Sequence, residues 1–158
     1  MKLVKSLLAV VLGGLLVASS AFAVTGGYSG SACNPNTPTD GSRINYSQYG
    51  VHNVSTAVAS VTCPANQPSG SDVFNISATV YDRSSTADVC CTMMVLNADG
   101  GVISSALRCS VGFGPASQSL SWVPPVNASS TVELACSIPG VTSSGLSHVA
   151  TYRVGSNP

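Results

Sequence analysis

The sequence predicts an all-β protein: an antiparallel β-sandwich, immunoglobulin-like or jelly-roll-like, stapled by disulfides. Three observations predict it. Short runs of β-favouring residues recur between clusters of Ser, Asn, Gly and Pro. Several of these runs alternate apolar and polar residues, and none after the N-terminal segment has a helical period. Six cysteines follow a secretion signal, which delivers them to an oxidising compartment.

The signal is read from residues 1–23. Lys2 and Lys5 open it, Leu7 to Val17 form an apolar run, and Ala21-Phe22-Ala23 is the small-x-small pattern that precedes cleavage. Its removal leaves roughly 135 residues, one domain of ordinary size. Residues 24–49 are rich in Gly, Ser, Asn, Pro and Thr without apolar period and read as an irregular leader. Residues 50–158 carry the sandwich.

The strands follow in order. Ala57 to Cys63 is a strand stopped by Pro64, and Asn66 to Asp72 is a turn region. Val73 to Tyr81 places Phe74, Ile76, Ala78 and Val80 on one face and Asn75, Ser77, Thr79 and Tyr81 on the other. Asp82 to Thr86 turns the chain. Val89 to Leu96 and Val102 to Val111 form a hairpin around Asp99-Gly100. Ser119 to Val123 is a shorter strand ended by Pro124-Pro125. Thr131 to Ile138 sets Val132, Leu134, Cys136 and Ile138 on one face, and His148 to Val154 closes the chain.

The adjacent Cys90 and Cys91 point to opposite faces of their strand and take different partners. A two-residue Asp99-Gly100 loop puts Cys90 opposite Cys109, and one more loop residue would put Cys91 there instead. The first register is preferred. The other four cysteines admit three pairings, which sequence does not decide. Cys63 with Cys136 is favoured because each sits near the end of an apolar strand just ahead of a proline, which leaves Cys33 with Cys91. Zinc spacing such as Cys-x-x-Cys is absent, so disulfides are the reading.

Charge narrows the function classes. Both lysines lie in the signal, so the remaining cations are Arg43, Arg83, Arg108 and Arg153, against Asp40, Asp72, Asp82, Asp88, Asp99 and Glu133. No basic patch suits nucleic acid. After the signal, no run is long and apolar enough to span a bilayer. The absence of lysine also leaves sheet edges without their common protection against pairing.

Candidate chemistry is sparse. The only histidines are His52 and His148, and no Gly-x-Ser-x-Gly elbow accompanies them. A Ser-His-Asp hydrolase would need one of them beside a serine and an acid. Asp82 and Asp88, bracketing a polar turn, are weak calcium candidates, though such aspartates more often bond their own backbone. Trp122, Tyr28, Tyr46, Tyr49, Tyr81 and Tyr152 are candidates for a sugar-stacking platform, against core packing as the plainer reading. Asn45, Asn53, Asn75 and Asn127 head Asn-x-Ser sequons. No cofactor is indicated.

Gly50-Val51-His52-Asn53, Val61-Thr62-Cys63-Pro64, Val80-Tyr81-Asp82-Arg83-Ser84, Asn97-Ala98-Asp99-Gly100, Cys136-Ser137-Ile138-Pro139 and Tyr152-Arg153-Val154 resemble small exported bacterial proteins of uncharacterised function. The resemblance runs from Gly50 to Val154. It implies an exported β-domain and brings no activity or site with it.

The function expected from these readings is a secreted, non-enzymatic binding module of the cell surface, periplasm or medium, with a glycan or another surface protein as partner. The alternative is a self-assembling structural subunit that pairs through the leader or an edge strand. A secreted hydrolase ranks third.

Overall fold

The computed structural model describes residues 24–65, 72–124 and 131–157. The expected signal, most of the turn region expected from Asn66 to Asp72, and the Asn127 sequon lie outside the described residues. Among the described residues, eleven strands form two antiparallel sheets: β1 (Val24–Ser29), β2 (Asn34–Pro35), β3 (Ile44–Ser47), β4 (Gly50–Asn53), β5 (Ala59–Ala65), β6 (Asp72–Tyr81), β7 (Cys90–Leu96), β8 (Val102–Cys109), β9 (Ser117–Trp122), β10 (Thr131–Ile138) and β11 (His148–Asn157). One sheet runs β3-β4-β11-β6-β9, with β1 also on β11; the other runs β2-β5-β10-β7-β8. Among the described residues, no helix is long and apolar enough to cross a membrane.

Of the two sandwich types expected, the strand order is that of a jelly roll. The strands β4 to β11 divide as β4-β11-β6-β9 facing β5-β10-β7-β8, the double Greek key of that architecture. All seven strands expected from Ala57 onward are present, and β10 has the expected bounds. Alternation explains their burial. Val132, Leu134, Cys136 and Ile138 of β10 and Ile76, Ala78 and Val80 of β6 all lie in the core. Each large aliphatic side chain buried this way stabilises the fold by roughly 1.5–3 kcal/mol.

Tyr152 ties the sheets together. It is 1% exposed on β11, and its hydroxyl crosses the sandwich to donate to the Pro64 carbonyl of β5 at 2.7 Å. Burial, with the neighbouring Tyr28, pushes its phenol up to about 12. On the open side, the buried Trp122 indole N–H donates to the Ala106 carbonyl at 2.9 Å and links β9 to β8.

The leader departs from expectation: residues 24–49 are not irregular. β1 pairs with β11 from Val24↔Ser156 to Ser29↔Thr151, and Tyr28 stacks on Tyr152 at 5.0 Å. A single helical turn, α1 (Pro38–Gly41), follows β2. There the Thr37 hydroxyl donates to Asp40 at 2.6 Å, and the Ser60 N–H of β5 donates to it at 2.9 Å. These hydrogen bonds hold the Asp40 carboxyl below its usual range. Strands such as β1 carry no apolar period because their pairing, not a buried face, makes them strands. β4 also lies outside the expected strands; it buries Val51 and Asn53, but four residues are too few to show a period.

Pro64 does not stop its strand; β5 continues to Ala65. β2 flanks β5 only at Val61 and Thr62, so β5 is an edge at Pro64, where a missing N–H is tolerated. Asn53, a sequon residue, is fully buried and cannot serve as an acceptor in the folded chain.

The disulfides are Cys33–Cys63, Cys90–Cys109 and Cys91–Cys136. Cys90–Cys109 is the expected hairpin pair. The expected Cys63–Cys136 and Cys33–Cys91 bridges do not form, and register is the reason. β10 sets Cys136 opposite Val61 on one side and opposite Cys91 on the other, while Cys63 faces Leu134. β2 sets Asn34 opposite Thr62, which brings the preceding Cys33 to Cys63.

The hairpin reaches the expected register by a different route. The Asn97 N–H donates to the Gly101 carbonyl across a three-residue loop, with Gly100 at φ +81° supplying the left-handed position. A bulge between Leu96↔Val102 and Val95↔Ser104 then restores the pairing of Cys90 with Cys109.

Candidate functional site

Three strands bring three rings into one row. The registers His148↔His52 and His148↔Tyr81 align β4, β11 and β6, whose neighbouring Val51, Val149 and Val80 are fully buried. The rings therefore stand on the opposite, outer face. Tyr81 stacks on His148 at 4.4 Å and 13°, and His52 lies on the other side of His148 at 4.4 Å and 33°. The ring row is thus built on strands rather than loops.

Backbone irregularity shapes the floor. β11 changes register between Val149 and Thr151, the point where β4 gives way to β1 as its neighbour. Bulges of this kind re-aim side chains. Close approach here demands glycine: a Cβ on Gly50, at φ +115°, would fall 2.1 Å from the Val149 carbonyl oxygen. The result is a pocket of about 410 Å³ lined by Gln48, Tyr49, His52, Tyr81, Arg83, His148, Ala150 and Thr151.

The polar atoms fall into those already engaged and those that are not. The Ser47 hydroxyl lies 2.7 Å from His52 Nε2 and accepts from the Tyr49 N–H at 3.0 Å. His148 Nδ1 is 3.5 Å from the Leu146 carbonyl. Arg83 is held by its backbone: its N–H donates to the Ser147 hydroxyl at 2.9 Å, and its carbonyl accepts from the Thr142 hydroxyl at 2.7 Å. Its guanidinium makes one long contact, from Nη2 to the Pro115 carbonyl at 3.5 Å. His52 Nδ1, His148 Nε2 and the Tyr81 and Tyr49 hydroxyls have no hydrogen-bond partner among the described residues.

Burial, then the adjacent His52, pushes the His148 imidazole down to about 4, and burial lowers His52 as well. Both rings are neutral at pH 7. The unfolded chain protonates near 6.5, before the folded one, so this contribution is fully present above pH 6.5 and is lost as pH falls toward 4. Because His148 is only partly buried, we expect a loss of about 1–2 kcal/mol. Urea midpoints at pH 7.5, 5.5 and 4.2 will measure it. His148→Phe, which keeps the stack, should flatten most of the slope; an unchanged slope would assign the effect elsewhere.

Ser47 and His52 are in contact, and among the described residues no carboxylate lines the pocket to orient the imidazole as a Ser-His-Asp hydrolase would need. Asp82, a weak calcium candidate, is fully buried; its carboxylate accepts from the Ser84 N–H at 2.9 Å and the Ser110 hydroxyl at 2.5 Å. Asp88 is exposed. Among the described residues no three His, Cys, Asp or Glu side chains gather as a metal site.

Of the expected aromatic platform, only Tyr49 and Tyr81 belong to this pocket. Tyr28 and Tyr152 pack in the core, and Tyr46 donates its hydroxyl to the Cys33 carbonyl at 3.1 Å. Trp122 borders a separate hollow with Asn75, Arg108, Ser121 and Val123, but its own ring is 3% exposed. Gln48 and Arg83 were missed as site residues, since nothing in their sequence neighbourhoods marks them. Both join the pocket through turns that follow or precede its strands.

No protein-family model matches the chain, and no curated protein matches it. Among solved structures it is similar to the xylan-binding module CBM15, at 12% identity and TM-score 0.57 over 85% of this chain and 97% of that one. It is also similar to the C-terminal CBM6 of LamC, a marine laminarinase from Zobellia galactanivorans. There the identity is 13% and the TM-score 0.50, over 83% of this chain and 98% of that one. The shared property is the fold. Both neighbours are matched over nearly their whole length, so the likeness covers a complete sandwich.

Proposed function

We propose that this protein is an exported, non-catalytic carbohydrate-binding module that holds a glycan in the pocket beside Tyr81, His148 and His52. The observation that carries the reading is the prebuilt pocket on the outer face of a jelly-roll sheet, lined by planar polar side chains with unengaged donors and acceptors. Sugars present hydroxyls in pairs and apolar C–H faces between them. Imidazole edges, a phenol and an amide can meet the hydroxyls, and the ring of Tyr49, 65% exposed, offers an apolar surface. A volume of about 410 Å³ is in the range of small-ligand sites. The names of the two fold neighbours, one xylan-binding and one a module of a laminarinase, agree with this class of ligand. Three disulfides suit an extracellular or periplasmic location.

Calorimetric titration of the oxidised protein against a panel of soluble plant, algal and microbial polysaccharides tests it. Binding to at least one is expected, with Tyr81→Ala and His148→Ala each weakening it tenfold or more, about 1.4 kcal/mol. Absence of binding across the panel, or binding indifferent to both substitutions while the fold is retained, would remove the proposal.

A further inference from the structure

The chemistry of the pocket lining is lopsided. Among the described residues it contains a guanidinium and two imidazoles, and no carboxylate. Neutral sugars are usually gripped by donors and acceptors together, since each hydroxyl is both. A group that only accepts, such as a carboxylate or sulfate ester, fits a lining whose one charged side chain, the Arg83 guanidinium, only donates.

Arg83 has the geometry to supply the charge. Its backbone is fastened at both N–H and carbonyl, to Ser147 and Thr142, and Ser147 is fully buried. Its stem runs beside Gly145, where a Cβ would sit 3.7 Å from Arg83 Cγ. The guanidinium at the end of this stem has one long carbonyl contact and no carboxylate partner among the described residues. Five N–H donors are thus held at a pocket wall with one of them engaged. By contrast, Arg43 is used structurally, donating to the Val58 carbonyl at 2.8 Å.

We infer that the pocket takes an acidic glycan, whose ring-borne carboxylate or sulfate sits against Arg83 while the sugar lies beside Tyr81, His148 and His52. This inference rests on the glycan-binding reading and names the ligand class within it. The mature chain carries a small net negative charge, so general attraction to a polyanion does not favour such binding. Selectivity would have to come from this one locus.

The groups facing His148 are His52 from β4, Tyr81 from β6 and Arg83 beyond it. An anion placed among them favours the protonated imidazole, so binding an acidic glycan takes up a proton. Its affinity therefore rises as pH falls from 7.5 to 5.5. A neutral glycan gains nothing from that protonation.

The experiment is calorimetric titration of the oxidised, full-length mature protein at 0.15 M salt. Polygalacturonate probes the carboxylate, a sulfated galactan probes the sulfate ester, and laminarin and unsubstituted xylan are neutral references. At least tenfold tighter binding of one acidic polymer is expected, and which one it is distinguishes the two sources of charge. Arg83→Gln should abolish the preference, bringing the acidic and neutral polymers to equal affinity. Arg153→Gln, the same charge change on another exposed arginine, should leave it intact. Equal affinity for acidic and neutral polymers, an inert Arg83→Gln, or equal loss from Arg153→Gln would each overturn the acidic-ligand inference and leave glycan binding standing. Failure of every polymer to bind would overturn both.

Discussion

Replacing Cys91 and Cys136 together by alanine is expected to lower the stability of the oxidised protein by about 4 kcal/mol. The bridge spans a sequence separation of 45 and joins β7 to β10, two adjacent inner strands of their sheet. Opening it returns that loop's freedom to the unfolded chain, which accounts for most of the figure. Both residues are buried, at 0% and 2% exposure, so the lost sulfurs also leave a small cavity in the core. Cys90–Cys109 closes a separation of only 19 on a half-exposed edge, and its removal should cost less, about 3 kcal/mol. Thermal unfolding of the two double variants, with the remaining bridges verified by mass, measures the difference. A drop of roughly 10–15 °C is expected for the buried pair. A larger drop for Cys90–Cys109 would show that neither loop entropy nor core burial sets the order.

Asn53→Asp is expected to cost about 3–5 kcal/mol. Asn53 is fully buried at the end of β4, and its amide Nδ2 donates to the carbonyls of Ala57 at 2.7 Å, Ile138 at 2.9 Å and Pro139 at 3.2 Å. Its Oδ1 accepts from the Ser55 N–H at 2.9 Å. Two amide protons thus serve three carbonyls and join β4 to the end of β10 in the opposite sheet. Aspartate would remove both donors and set a charge against those oxygens. Because burial favours the protonated acid, the deficit relative to the parent should shrink as pH falls. Urea denaturation at pH 7.5 and 5 checks both signs; a cost below about 1 kcal/mol would mean the three carbonyls find water instead.

What could be read in the sequence was what depends on near neighbours. β6 and β10 were legible because each buries one whole face, and that face alternates along the chain. Cys90–Cys109 was legible because a hairpin determines its own register within a few residues. Cys33–Cys63 and Cys91–Cys136 were not, because each depends on how two separate strands slide past one another. β1 to β4 are not legible for a related reason: they are strands through pairing with distant or neighbouring strands, β1 and β4 with β11, β2 with β5 and β3 with β4. The site shows the same division. His52, His148 and Tyr81 each stood out by residue type, one pair as rare imidazoles and the other as a strand aromatic. Their convergence needed two registers between strands from distant parts of the chain, and Arg83 needed the turn after β6 as well.

β11 has three neighbours, with β4 and β1 sharing one of its edges and β6 taking the other. Among the described residues, the strand nearest the N-terminus is thereby zipped to the one nearest the C-terminus, Val24 against Ser156. Folding of this sheet is consequently dominated by distant pairings, which are slow to form. Without β11, β4 keeps only β3 and β6 keeps only β9, so a partly synthesised chain holds two separate ribbons where the finished one has a sheet. The same arrangement places the two ends of the fold side by side. A circular permutant that joined them and opened a surface turn elsewhere would preserve every register, while reversing which strand arrives last.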